Sequence, residues 1–178
     1  MIRAGFAAAG LGLGLAMAHA APVLACTTIS PQLEFCAEGS PLAGMRAQDI
    51  DGVVVFEDEA FWIEFNPALT AAATSGPLAA ALDSLLASTL AEAGAPQTET
   101  LLRDSFEAVH ATVERFIAQV EEEGETYLGA LLLADIADGG GRVAWSLGNL
   151  QADRPEAQQE LQALTEVTAA ALRPAMEN

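Results

Sequence analysis

The ten residues "YLGALLLADI" (Tyr127–Ile136) constrain this chain more than any other stretch. Asp138-Gly139-Gly140-Gly141 and then "RVAWSLGNL" follow them, so the region reads as strand, glycine-rich turn and strand, a hairpin. Side chains alternate faces along a strand, yet here odd and even positions are apolar alike. Both faces must therefore be kept from water. A chain with this segment needs a sheet covered on both sides, either by its own helices or by a second copy of itself.

A second hairpin is expected over Gly52–Phe65, "GVVVFEDEAFWIEF". Val53–Phe56 is β-branched and aromatic, acids fill the turn, and Phe61, Ile63 and Phe65 alternate with Trp62 and Glu64. Between the hairpins the period changes. Leu78, Leu82, Leu85, Leu86 and Leu90 share one helical face, with Ser75 as cap, Pro77 suited to the first turn and Gly94 to the stop. Leu102, Phe106, Val109, Val113, Phe116 and Val120 step by four, three, four, three and four, which predicts a further helix with one buried stripe. A competing strand reading of residues 108–117, "AVHATVERFI", loses its alternation at Arg115 and Gln119. As a strand, that segment would give an element order resembling small PsbP/Mog1-like α+β domains, in order alone and without a motif. The last helix starts at the capping-box-like pair Asp153 and Glu156. It buries Ala157, Leu161, Leu164, Thr168 and Ala171, and stops near Pro174. The expected fold is α+β: two antiparallel β-hairpins forming one small sheet packed with about three helices, in the order ββ-α-α-ββ-α.

The first twenty residues read differently. Arg3 precedes an uncharged, mostly apolar run from Ala4 to Met17, and the segment closes on Ala18-His19-Ala20. Small residues at these two alanines are what a signal peptidase accepts, with cleavage before Ala21. The run is shorter than the roughly 20 residues that span a bilayer, which argues for a cleaved leader over a retained anchor. No later stretch is long and apolar enough to cross. The expected organisation is a signal peptide over 1–20, an N-terminal segment with a cysteine loop over 21–50, and a single α+β domain over 51–178. The expected location is periplasmic or secreted. Richness in alanine, glycine and arginine without lysine fits a GC-rich bacterial genome.

Export bears on Cys26 and Cys36, the only cysteines. In an oxidising compartment an even pair at short range is expected to form a disulfide. Closing so short a loop restricts the unfolded chain by about 2–3 kcal/mol in the entropy model. A redox motif needs the sulfurs two residues apart, and a zinc site needs more ligands than remain. The rival reading is a lipid anchor at Cys26, because "VLAC" (Val23–Cys26) resembles a bacterial lipobox. Leu24 and Pro22 depart from that pattern.

Charge excludes some partners. The chain carries 25 acidic residues against seven arginines, for a net charge of −18. Such a surface repels phosphate backbones and anionic lipid heads, so nucleic acid and membrane-surface binding are not expected. It suits solubility, a cationic ligand or a basic partner.

Catalytic patterns are sparse. "AWSLG" (Ala144–Gly148) falls one residue short of G-x-S-x-G, but Ser146 lies within a strand and His110 precedes it in the chain. His110 beside Glu114 fits a structural pair on a helix face. Ala47–Asp58 partly matches a calcium loop, with Asp49, Asp51 and Gly52 at the third, fifth and sixth positions, but fails at Ala47 and Asp58. Glu121–Glu125 and Asp135 with Asp138 are looser acidic groups, expected as solvated surface. No nucleotide-binding, zinc-protease or paired C-x-x-C motif is present. Trp62, on one strand face with Glu64, is the residue marked for contact with a partner or cationic ligand if it is exposed; the competing and favoured expectation is that a helix covers it as core, since the sheet is expected to be covered on both sides. The functional expectation is an exported, acidic, non-enzymatic envelope protein that binds a partner protein or small ligand. No catalytic residue, metal ligand or cofactor is assigned; a calcium-stabilised module is the alternative.

Overall fold

The computed structural model describes residues 26–57, 59–94, 96–122, 125–149 and 152–175. The expected leader and its cleavage site, with Ala18, Ala20 and Ala21, lie outside the described residues. In chain order the elements are β1 (Cys26–Ser30), β2 (Leu33–Cys36), β3 (Ala47–Ile50), β4 (Val53–Glu57), β5 (Phe61–Phe65), α1 (Pro67–Ala72) and α2 (Leu78–Glu92). Then come β6 (Gln97–Ala108), β7 (Ala111–Glu122), β8 (Glu125–Ile136), β9 (Gly141–Asn149), α3 (Ala157–Ala171) and β10 (Leu172–Pro174). One sheet has seven strands in the order β3-β4-β5-β9-β8-β7-β6, and a second has three in the order β1-β2-β10. Every described pairing is antiparallel.

The expected two-hairpin sheet is therefore wrong. The fold is mostly β, 49% strand against 25% helix, with ten strands in two sheets among the described residues. The largest error is the helix expected over residues 102–120, which is the β6–β7 hairpin. Its apparent stripe is a coincidence of two faces and a turn. Val113 points to the side covered by α3, Phe116 and Val120 line the opposite side, and Val109 sits 74% exposed at the hairpin tip. The alternation that Arg115 broke is real, because Arg115 is itself an inward residue, 2% exposed. Its guanidinium donates to both carboxylate oxygens of its cross-strand partner Asp104, at 2.9 and 2.7 Å. It also donates to Thr165 Oγ1 at 2.7 Å and lies 4.6 Å from the centre of the Phe106 ring. Burial lowers the affinity of Arg115 for its proton, but Asp104 and Glu166 outweigh that and hold its pKa above the ordinary arginine value. A buried ion pair reads as a polar break in sequence and as a packed position in space.

The two hairpins read from sequence are present as β4–β5 and β8–β9, and the helices at Leu78 and Ala157 are present as α2 and α3. Caps differ from expectation: Pro77 and Glu156 occupy the N-cap positions, neither with a side-chain capping bond. The demand made by β8 is met from within the chain. Leu128, Ala130, Leu132, Ala134 and Ile136 enter a core with α3, while Leu131 and Leu133 meet Leu82 and Leu85 of α2 on the other face. The three-stranded sheet closes the α3 side. Phe35 of β2 stands 4.8 Å from Phe56 and 5.4 Å from Phe65, and Phe65 stacks on Trp145 at 6.1 Å. Cys26 and Cys36 are cross-strand partners and are joined by a disulfide.

Candidate functional site: a groove beside Trp62

On the α3 side the middle of the seven-stranded sheet is closed over, and a depression of about 200 Å³ remains at its edge, lined by Ile29, Leu33, Phe65, Pro67 and Val143. On the other side α2 packs on β7 and β8 and α1 on β9, and a groove opens between α2 and β5. It arises from small residues on the strands. Gly129, Ala118 and Gly148 present no bulk, and Trp62 lies across Gly148, its cross-strand partner. A Cβ at Gly148 would fall inside the indole of Trp62, whereas one at Gly129 would make ordinary contacts with Val120 at 3.6 Å and Tyr127 at 3.7 Å. Glycine inside a strand often marks such a close approach. Leu86, Thr89 and Leu90 form the α2 wall, with Phe116 and Tyr127 opposite. The cavity is about 140 Å³. Thr89 Oγ1, in that wall, is out of contact with water and has no hydrogen-bond partner among the described residues.

Trp62 and Glu64 do share a face, as their alternation predicts, and Trp62 is half-buried rather than enclosed. Glu64 accepts a hydrogen bond from Asn66 Nδ2 at 3.1 Å; Asn66 in turn caps α1 through the Ala68 N–H at 2.9 Å. Across β4–β5, Glu57 is paired with Trp62 and Val55 with Glu64. Ser146 lines the groove as a strand residue, and Trp145 faces the opposite way, fully buried, with its indole N–H on Thr168 Oγ1 at 3.3 Å.

The catalytic and calcium patterns are not assembled. His110 sits at the β6–β7 turn, where its carbonyl accepts from the Ala137 N–H at 2.8 Å. That places it level with the β8–β9 turn, while Ser146 lies five residues along β9, about 16 Å away at strand rise. Glu114, expected beside His110, pairs instead with Arg103 at 2.9 Å. The calcium-like stretch is the β3–β4 hairpin. Asp51 and Gly52 have φ of 53° and 86°, as a two-residue primed turn requires, and Asp49 Oδ1 accepts the Gly52 N–H at 2.9 Å. Asp135 is held by Arg142 at 2.7 Å, whose pKa this hydrogen bond raises against the opposing effect of burial. Among the described residues, the side chains grouped tightly enough to hold a metal are Cys26, Glu34 and Cys36, and both cysteines are oxidised. Residues 123 and 124 of the Glu121–Glu125 group lie outside the described residues.

No family model and no curated protein sequence matches the chain. Among solved structures it is similar to PA94 from Pseudomonas aeruginosa, a protein of unknown function suggested to be a regulator. The identity is 13%, over 68% of this chain and 94% of that one, with a TM-score of 0.43. A likeness that distant carries no argument about either fold or function.

Proposed function

We propose that this is an exported, acidic, non-enzymatic envelope protein that binds a partner protein or small ligand through the groove beside Trp62. The groove itself is the observation that supports this reading. An apolar depression of about 140 Å³ is near the ~150 Å³ of an engineered cavity that holds benzene and well under the 300–1,000 Å³ usual for drug-sized ligands. It suits one ring or one branched side chain, an anchor rather than a whole cofactor. A half-buried tryptophan against small residues is the surface on which such anchors bind. The Cys26–Cys36 disulfide is compatible with a periplasmic or extracellular location. Among the described residues no helix is long and apolar enough to cross a membrane.

Toluene is the simplest probe of the anchor site. Titrated into the purified protein, it should shift the indole N–H resonance of Trp62 saturably and leave that of Trp145 in place. Leucine at Gly129 should fill the groove and abolish the shift. If Trp62 does not respond, or both tryptophans respond alike, the groove is not a binding site.

A further inference from the structure

Beyond the existence of an anchor site, the arrangement of charge around it specifies the occupant. On the face of the sheet that holds the groove, β4 and β5 form a small grid. Val55 stands across from Glu64, and Glu57 stands across from Trp62, so apolar and acidic side chains alternate both along and between the strands. Ile50 of β3, 53% exposed and paired with Val53, extends the apolar part of this strip.

The acids of the grid make no ion pair among the described residues, and the cation nearest to them in register is Arg46, one residue beyond the Ala47–Phe56 pair and thus across from Glu57. Arg103, Arg115, Arg142, Arg154 and Arg173 are engaged in ion pairs with Asp83 and Glu114, Asp104 and Glu166, Asp135, Glu160, and Glu34 respectively. Arg46, the other arginine among the described residues, is exposed and makes no ion pair. Neither Glu57 nor Glu64 has an ion-pair partner among them. Cross-strand neighbours lie about 5 Å apart, and next-but-one residues on a strand about 7 Å. Both carboxylates are thus within the ~8 Å Debye length of Trp62 at physiological salt. Glu57 and Glu64 stand beside the groove rather than in its lining, so a neutral apolar anchor leaves both hydrated and gains nothing from them. An occupant that brings ammonium or guanidinium groups beside its apolar anchor adds attraction to both carboxylates.

We infer that the strip formed by Val55, Glu57, Trp62 and Glu64, with the adjoining groove, binds an extended basic peptide segment with an apolar anchor at one residue and lysine or arginine two residues on. The spacing follows from the grid: two residues of extended chain repeat the distance from Trp62 to Glu64. The inference rests on the anchor-site reading above and adds the chemistry of the partner.

Three twelve-residue peptides test it by calorimetry on the purified protein, with repeats Leu-Ser-Lys-Ser, Leu-Ser-Gln-Ser and Ser-Ser-Lys-Ser. The first should bind at least tenfold more tightly than either of the others at 50 mM salt, and its advantage over the glutamine peptide should shrink at 500 mM. Trp62→Ala should remove the preference for leucine. Glu57→Gln with Glu64→Gln should remove the preference for lysine and leave the neutral peptide unaffected, while Glu156→Gln, at the start of α3, should change neither. Circular dichroism on each variant checks that the fold persists. Equal binding of the lysine and glutamine peptides, or an effect of Glu156→Gln as large as that of the double variant, would overturn the inference. If toluene moves Trp62 and lysine brings no advantage, the anchor site stands and the cationic partner falls. If neither toluene nor any peptide reaches Trp62, both fall.

Discussion

The two faces of the seven-stranded sheet are lined by alternate residues of the same strands, yet they are finished differently. One face carries Ile63, Phe65, Leu132, Trp145 and Leu147, and α3 with the three-stranded sheet closes over it until all of these are at most 2% exposed. The other carries Trp62, Gly129, Leu131, Ser146 and Gly148, and α2 covers only part of it. The sealed face uses large side chains and charges satisfied internally. The open one uses glycines, a half-buried tryptophan and acids that make no ion pair among the described residues. Closed core and open groove are thus separated by a single step along each strand.

Substitutions on the two sides should sharpen this contrast. The largest effect is expected for Trp145→Ala, which removes the centre of the sealed core. By the usual cost of truncating a buried aromatic it should destabilise by about 3–5 kcal/mol, read from urea unfolding. Arg115→Met comes next. It strands Asp104, and because Asp104 is 36% and Glu166 53% exposed, the cost should be about 2–3 kcal/mol, below the range for a fully enclosed pair. Adding Asp104→Leu should recover most of it, and no recovery would show that the ion pair itself holds the hairpin against α3. The smallest effect on stability is expected on the open face. Gly148→Ala must displace the Trp62 indole, so it should abolish the toluene response while shifting the unfolding midpoint less than either core variant. A loss of stability equal to that of Trp145→Ala would mean that Trp62 belongs to the core.

Only the parts of the architecture that rest on local pattern were legible in the sequence: the β4–β5 and β8–β9 hairpins and the helices α2 and α3. The two-faced apolar run of β8 announced cover on both sides, and both its hairpin and that of Trp62 followed from alternation and turn residues. The β6–β7 hairpin was hidden by Arg115, whose partners Thr165 and Glu166 lie about fifty residues away. Likewise β1, β2 and β10 are short, and β10 pairs Leu172 with Phe35 across most of the chain, a contact that no local window contains. The site was half legible. Trp62 and Glu64 could be placed on one face by period two, but the groove depends on Gly148 lying beneath Trp62, a pairing of distant strands. The signal was present in the interior strand glycine Gly148, which marks the close approach of Trp62.

The measurement that bears most directly on the two-face account is fluorescence quenching of the wild-type protein and a Trp62→Phe variant, using caesium and iodide ions. The difference between the two proteins reports Trp62, and the variant alone reports Trp145. The account predicts that Trp145 is shielded from both ions, while Trp62 is quenched more strongly by caesium, which Glu57 and Glu64 attract, than by iodide, which they repel. Equal quenching of Trp62 by the two ions, or quenching of Trp145 to the same extent as Trp62, would contradict it.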